Sequence, residues 1–172
     1  LRLRLIARPP RAALLDAFAS LVARRLARVP LQYGLGSVEF AGVDVAVGPG
    51  VLIPRSETEV LVERVDAALR ARGGESGAGL LIVDVGTGSG AIILALMRRL
   101  PRARGIGVDA LPEALAWARR NAGRLAASGP EEMLGLTSRV DFLLGDLLEP
   151  LDPRLSVDVI VSNPPYVRLE ER

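Results

Sequence analysis

The sequence predicts an α/β protein built on a parallel sheet, preceded by a helix and a β-hairpin. Three observations predict it. From Leu80 onward, short apolar strand-like runs alternate with amphipathic helical runs, the rhythm of a parallel α/β sheet. Gly86, Gly88 and Gly90 stand between the first such strand and its helix. The last readable strand stops at Asn163, Pro164, Pro165 and Tyr166, a rigid exit at a carboxyl strand end, where open α/β sheets bind ligands.

The elements follow in order. Between Arg11 and Arg28, Leu14, Leu15, Phe18, Leu21, Val22 and Leu26 recur at helical spacing, and Arg24, Arg25 and Arg28 load the end that favours cations. That apolar face requires a partner to pack on. "SVEFAGVDVAV" alternates on both sides of Ala41-Gly42 and predicts a hairpin, and "GPGVLIPR" an extended connector. Ser56 and Glu59 predict a capping box for a helix that buries Val60, Leu61, Val65, Ala68 and Leu69. Residues 73–79, "GGESGAG", read as a flexible joint. Then come strand 80–85, a helix closed by Pro101, strand 103–110, a helix opened by Pro112, a long polar loop over 127–139, strand 140–148 and strand 156–163.

Composition narrows the chemistry. The 172 residues suit one domain with a small appendage and are long enough to bury a core. Without Cys or His there are no disulfides, thiolate nucleophiles, imidazole metal ligands or the usual neutral-pH base. All 22 basic residues are Arg, a bias of composition that carries no mechanism. The net charge of +2 hides an asymmetry: residues 1–38 hold seven Arg and one acid, and the rest is mildly acidic. The basic start could face nucleic acid or an acidic partner, or be a solvated helix. No apolar run reaches the length of a membrane span and no secretory signal is legible, so a cytoplasmic protein without membrane contact is expected.

In "VDVGTGSGAI" the loop Gly86, Thr87, Gly88, Ser89 and Gly90 is expected to aim backbone N–H groups and a helix start at a ligand above the strand. The spacing also satisfies a dinucleotide fingerprint, with Asp109 lying 23 residues beyond Gly86. Against that reading, Asp84 puts a carboxylate beside the loop, which repels pyrophosphate and suits a sulfonium or ammonium. Asp109 and Asp146, at later strand ends, suit ribose and adenine-side hydrogen bonds. S-adenosylmethionine carries ribose, adenine and positive charge without phosphate, and fits better. A glycine loop that only permits tight packing is the plain structural alternative. At Asn163 the side-chain amide projects from the strand end, and the carbonyls of Asn163 and Pro164 lie beside prolines that have no N–H to offer them.

Three stretches carry a specific resemblance: "VPLQYGLGSVEFAGVDVAVGPGVLIPRSETEVLV" (29–62), "DVGTGSGAI" with "GVDA" (84–92 and 107–110), and "SNPPYV" (162–167). The chain resembles the HemK/PrmC family of class I S-adenosylmethionine-dependent methyltransferases. That family methylates the side-chain amide of the glutamine in the GGQ motif of peptide chain release factors. Ser56 departs from the family pattern, which usually has a second Pro there. The resemblance implies a Rossmann-like methyltransferase sheet, with its first four strands in the order 3-2-1-4. It implies that Gly86, Thr87, Gly88, Ser89 and Gly90 hold the methionine part of the cofactor. Asp109 would take the ribose, Asp146 with Leu147 the adenine region, and Asn163, Pro164, Pro165 and Tyr166 the target glutamine, with Asn163 also bordering the cofactor. Arg55 and Thr58 fall in the family-specific segment near the site without an assigned role.

The implied organisation is a remnant of a helical substrate-recognition domain (1–28), a hairpin, connector and linking helix (29–79), and an incomplete cofactor-binding domain (80–172). The family sheet has seven strands, so three are expected beyond the fourth. The 172 residues alone are then expected to self-associate or be marginally stable, and to have little activity. The implied partner is a release factor, with nucleic acid disfavoured as direct substrate. A nucleic-acid amino methyltransferase would share the Asn-Pro-Pro-Tyr motif, although aromatics for gripping a flipped base are few. A non-catalytic cofactor-binding fragment is the remaining alternative.

Overall fold

The computed structural model describes residues 12–73 and 76–164. α1 (Ala12–Leu26) forms where the apolar spacing predicts it, but Leu14, Leu15, Phe18 and Leu26 stay exposed. Its contact is with α2 (Leu31–Leu35), a short helix that the sequence pattern does not announce: Leu21 packs on Gly34, and the Arg24 guanidinium donates to the Tyr33 carbonyl at 3.2 Å. β1 (Ser37–Phe40) and β2 (Val43–Ala46) pair antiparallel around Ala41-Gly42, whose φ values of 45° and 89° make the two-residue turn matched to strand twist.

α3 (Glu59–Gly73) does not begin with the expected capping box. Ser56–Thr58 is a 3-10 turn in which the Thr58 N–H donates to the Arg55 carbonyl, and the Ser56 hydroxyl bonds Glu57 rather than the helix backbone. The buried side also differs from the expected one. Val62 and Leu69 are buried and Val65 half-buried, while Val60 and Ala68 face outward. Residues 76–79 are fastened rather than loose: the Arg102 N–H donates to the Ser76 carbonyl, and Gly77 sits against Leu100 and Ala103.

β3 (Leu81–Val85), α4 (Ala91–Arg99), β4 (Arg104–Asp109), α5 (Pro112–Ser128), β5 (Val140–Leu144) and β6 (Val159–Ser162) follow among the described residues. The four strands are parallel in the order β5-β4-β3-β6, the predicted 3-2-1-4. Every residue from Ala91 to Met97 is buried, because α4 lies between the sheet and the hairpin and has no solvent face over that span. Phe40, Val43, Val45, Val62 and Leu69 share one core with Ile93, Leu96 and Leu100. The 127–139 loop differs from a plain polar loop. It holds two 3-10 turns that sink Met133 and Leu136 completely into that core. Registers such as Val85 opposite Val108 and Ser162 bring the carboxyl ends of β3, β4 and β6 together on one edge.

Candidate active site at the carboxyl edge of the sheet

The glycine loop leaves β3 by bending around the end of β4. The N–H groups of Gly86 and Thr87 both donate to the Val108 carbonyl, at 2.8 and 2.9 Å, and that of Gly90 to the Thr87 carbonyl at 2.8 Å. Gly86, Gly88 and Gly90 have φ of 72°, 56° and 80°, a region glycine enters without steric cost. The Gly88 N–H donates to Asp109 Oδ2 at 2.8 Å, and Asp109 Oδ1 accepts the Leu111 N–H at 3.0 Å. Four loop amides therefore already have protein acceptors. This corrects the expectation of N–H groups aimed at a ligand, and leaves the loop poorly furnished for a pyrophosphate.

Asp84 also differs from its sequence reading. It is fully buried beneath the loop, with Oδ2 accepting the Thr87 hydroxyl at 2.7 Å and Oδ1 without a hydrogen-bond partner among the described residues. Burial pushes its carboxyl up to about 6, against the Thr87 hydroxyl and the Ile93 amide, which pull it down, while the Asp109 charge adds to the rise. It does not line the ligand cavity.

That cavity, about 370 Å³, runs along the strand ends, within the range of small-molecule sites. Gly86, Gly88, Asp109, Asp146, Leu147, Asn163 and Pro164 all line it. Thr87 and Ser89 line a neighbouring cleft of about 60 Å³, together with Arg55, Thr58 and Asn163. Gly90 borders neither; it starts α4, close against Leu94 and Ala118. Pro165 and Tyr166 lie outside the described residues. A larger open groove, about 730 Å³, is lined partly by Arg98 and Arg99. It lies away from the strand ends, and its arginines are occupied, Arg98 by the Gly42 carbonyl and Arg99 by Asp66.

Several site-building residues lie outside the glycine loop and the Asn-Pro-Pro-Tyr motif. Gly50, Val51 and Leu52 roof the cavity. The Tyr33 hydroxyl donates to the Val51 carbonyl at 2.7 Å, and Trp117 Nε1 to the Pro49 carbonyl at 3.3 Å. Asn121 is fully buried in α5; its Oδ1 accepts the Ala46 N–H at 2.8 Å, and its Nδ2 donates to the carbonyls of Ala46 and Ser89. It ties the hairpin to the glycine loop. Its one sequence signal is an amide on the apolar face of a helix. Thr58 gains a defined contact: Asn163 Nδ2 donates to its hydroxyl oxygen at 3.1 Å.

Two features of the cavity test the fit of a phosphate-free cationic nucleoside. A Cβ added to Gly86 would meet nothing within 4 Å, so the loop borders open space. Among the residues lining the cavity, Asp109 and Asp146 are acidic and none is basic. The residues fit S-adenosylmethionine, while a pyrophosphate would find four of the loop's N–H groups already bonded to protein acceptors.

Fold and site together define a ligand-binding α/β domain with its site at the strand ends. Residues 82–171 match the family model described as "Methyltransferase domain", and the chain belongs to that family. It is 48% identical over 154 residues to a protein of Geobacter sulfurreducens named release factor glutamine methyltransferase, covering 89% of this chain and 47% of that protein. It is 45% identical over 150 residues to one of the same name from Moorella thermoacetica, covering 87% of this chain and 48% of the relative. The chain thus spans about half the length of the curated relatives it matches. The crystal structure of precorrin-6y C5,15-methyltransferase from Geobacter metallireducens shares the fold, with TM-score 0.51 and 19% identity over 74% of this chain and 57% of that one. No helix among the described residues is long and apolar enough to cross a membrane.

Proposed function

We propose that this chain carries the cofactor-binding and target-positioning part of an enzyme that methylates the side-chain amide of the GGQ glutamine in a peptide chain release factor. The observation that carries the proposal is the placement of Asn163 and Pro164 on the wall of the strand-end cavity, with the Asn163 Nδ2 already committed to Thr58. The names of the relatives point to the same substrate. Cytoplasmic action follows from a partner that works in translation.

S-adenosylmethionine, when bound, supplies an electrophilic methyl group. Asp109 is suited to the ribose hydroxyls, since its oxygens retain lone pairs beyond the two backbone N–H groups they accept. Asp146 and Leu147 border the adenine end, and Gly86 and Gly88 the methionine end. An amide nitrogen is a weak nucleophile because its lone pair is delocalised, so orientation supplies much of the rate. Asn163 Oδ1 and the Pro164 carbonyl each accept one N–H of the target amide, fix its plane and favour the positive charge that develops on nitrogen. The methylated nitrogen is strongly acidic and releases its proton to water.

The test combines calorimetry with S-adenosylmethionine and transfer of labelled methyl to a release factor and to its GGQ Gln→Glu variant. Label on the first alone supports the proposal. Label on nucleic acid instead, or tighter binding of NAD than of S-adenosylmethionine, overturns it.

A further inference from the structure

We infer that Tyr33 is a positioning residue for the cofactor: its hydroxyl holds the connector that roofs the strand-end cavity over the glycine loop. The inference rests on the S-adenosylmethionine reading above. It gives a part in that site to a residue that does not line the cavity, on the short helix α2.

Residues 48–54 lie in no helix or strand, so their position depends on what fastens them from outside. Among the described residues, two hydrogen bonds tie this stretch to other elements, and side chains donate both. Trp117 Nε1 donates to the Pro49 carbonyl at 3.3 Å, and the Tyr33 hydroxyl to the Val51 carbonyl at 2.7 Å. The direction of the second is fixed, because a carbonyl oxygen can only accept. It is also partly buried, whereas the Trp117 bond is exposed, and a hydrogen bond withdrawn from water is the stronger kind.

The Tyr33 bond falls where it acts on the cavity. Val51 is buried, lines the cavity between Gly50 and Leu52, and places its Cγ2 3.8 Å from where a Cβ on Gly88 would stand. The Gly88 N–H donates to Asp109, the residue suited to the ribose. Roof and glycine loop thus face each other across Val51 and Gly88. The other end of the bond is anchored as well. The Tyr33 side chain packs on the core that holds Phe40 and Val45, and its carbonyl accepts from the Arg24 guanidinium. At the end of α2, the Gly36 carbonyl accepts the Val47 N–H at 3.0 Å, just before the connector begins. A hydroxyl on an anchored ring therefore sets the position of a stretch that has no strand partner of its own. A roof fixed in advance need not be ordered by the cofactor, which binds more tightly for that reason.

The experiment uses this chain and its Tyr33→Phe variant, which keeps the ring and removes only the donor. Calorimetry with S-adenosylhomocysteine is carried out at a temperature where unfolding curves show both proteins fully folded. Tyr33→Phe should raise Kd about three- to tenfold, the range of one lost hydrogen bond. A hydroxyl that served the fold alone would lower the melting temperature and leave Kd unaltered, since affinity would fall only by the folded fraction. An unaltered Kd therefore overturns the inference. Trp117, the single tryptophan, is bonded to the same connector and gives a second reading. Acrylamide should quench its fluorescence more in ligand-free Tyr33→Phe than in the parent, and saturating S-adenosylhomocysteine should narrow the gap. Equal quenching in the two free proteins also overturns the inference. In methyl transfer to a release factor, the KM for S-adenosylmethionine should rise by the same factor as Kd, with a smaller fall in kcat. A fall in kcat with KM unaltered would place Tyr33 at the target instead, and overturns it too. If the unmodified chain binds neither S-adenosylmethionine nor S-adenosylhomocysteine, the cofactor reading fails and the inference falls with it. If it binds them but methylates no release factor, only the substrate reading fails, and calorimetry still decides the role of Tyr33.

Discussion

Asp84 has no exposed surface, one oxygen bonded to Thr87 and the other without a hydrogen-bond partner among the described residues. With its carboxyl pushed from the ordinary 3.8 to about 6, it ties folding to pH. Below the lower value both folded and unfolded chains hold the proton, and the full stability is present. As pH rises, the unfolded chain releases its proton first, so stability falls through the window and the loss is complete above the folded value. The gap is worth about 3 kcal/mol. Asp84→Asn should therefore gain on the parent protein as pH rises from about 4 to about 7. Urea unfolding at a series of pH values would detect this, and a constant difference would show that Asp84 titrates normally. Asp109 does the opposite kind of work, partly exposed and bonded through both oxygens to backbone N–H groups. Asp109→Ala should weaken S-adenosylmethionine binding by about 1–3 kcal/mol, as expected for a lost charge-assisted hydrogen bond. Unaltered affinity in calorimetry would place the ribose elsewhere.

At the scale of elements, α5 organises the site without entering its chemistry. Asn121 on its buried side joins the hairpin to the glycine loop, and Trp117 one turn earlier supports the connector that roofs the cavity. Gly48 shows how close that contact is: a Cβ there would lie 2.6 Å from Trp117 Cζ2. Gly48→Ala should force the ring or the connector to move, at about 1–3 kcal/mol, as overpacked sites do. Trp117 is the single tryptophan of the chain, so its fluorescence reports the change directly. A shifted emission with weaker cofactor binding is expected. An identical spectrum and unfolding midpoint would mean that the connector is not held by this contact.

Across the described residues, one large core joins hairpin, α3 and one side of the sheet, a smaller cluster gathers Val83, Val85 and Val108, and apolar side chains remain exposed on several elements. α1 shows Phe18 and Leu26, and β6, at an edge of the described sheet, shows Ile160 at 53% exposure. An edge strand with an apolar exposed residue invites pairing with another chain. We expect the 172-residue chain to self-associate at high concentration and Ile160→Lys to reduce this, as light scattering after size exclusion would measure. A monomer at all concentrations would show that the edge is covered.

By itself the sequence determined the order of strands and helices, the two-residue hairpin turn, the glycine loop and the acids at strand ends. These depend on local rules: side-chain period, the φ that a turn demands, and the place of a residue at the end of its strand. The tertiary structure alone decided that Asp84 lies beneath the loop rather than beside a ligand, and that the loop amides are already bonded. It alone decided that Met133 and Leu136 anchor a polar loop, that Tyr33, Trp117 and Asn121 build the site, and that Thr58, already placed near the site by the resemblance, bonds Asn163. The bonds of these four residues into the site join positions 18 to 105 residues apart. No local pattern marks such partners, because their pairing depends on where the sheet and core bring distant segments together.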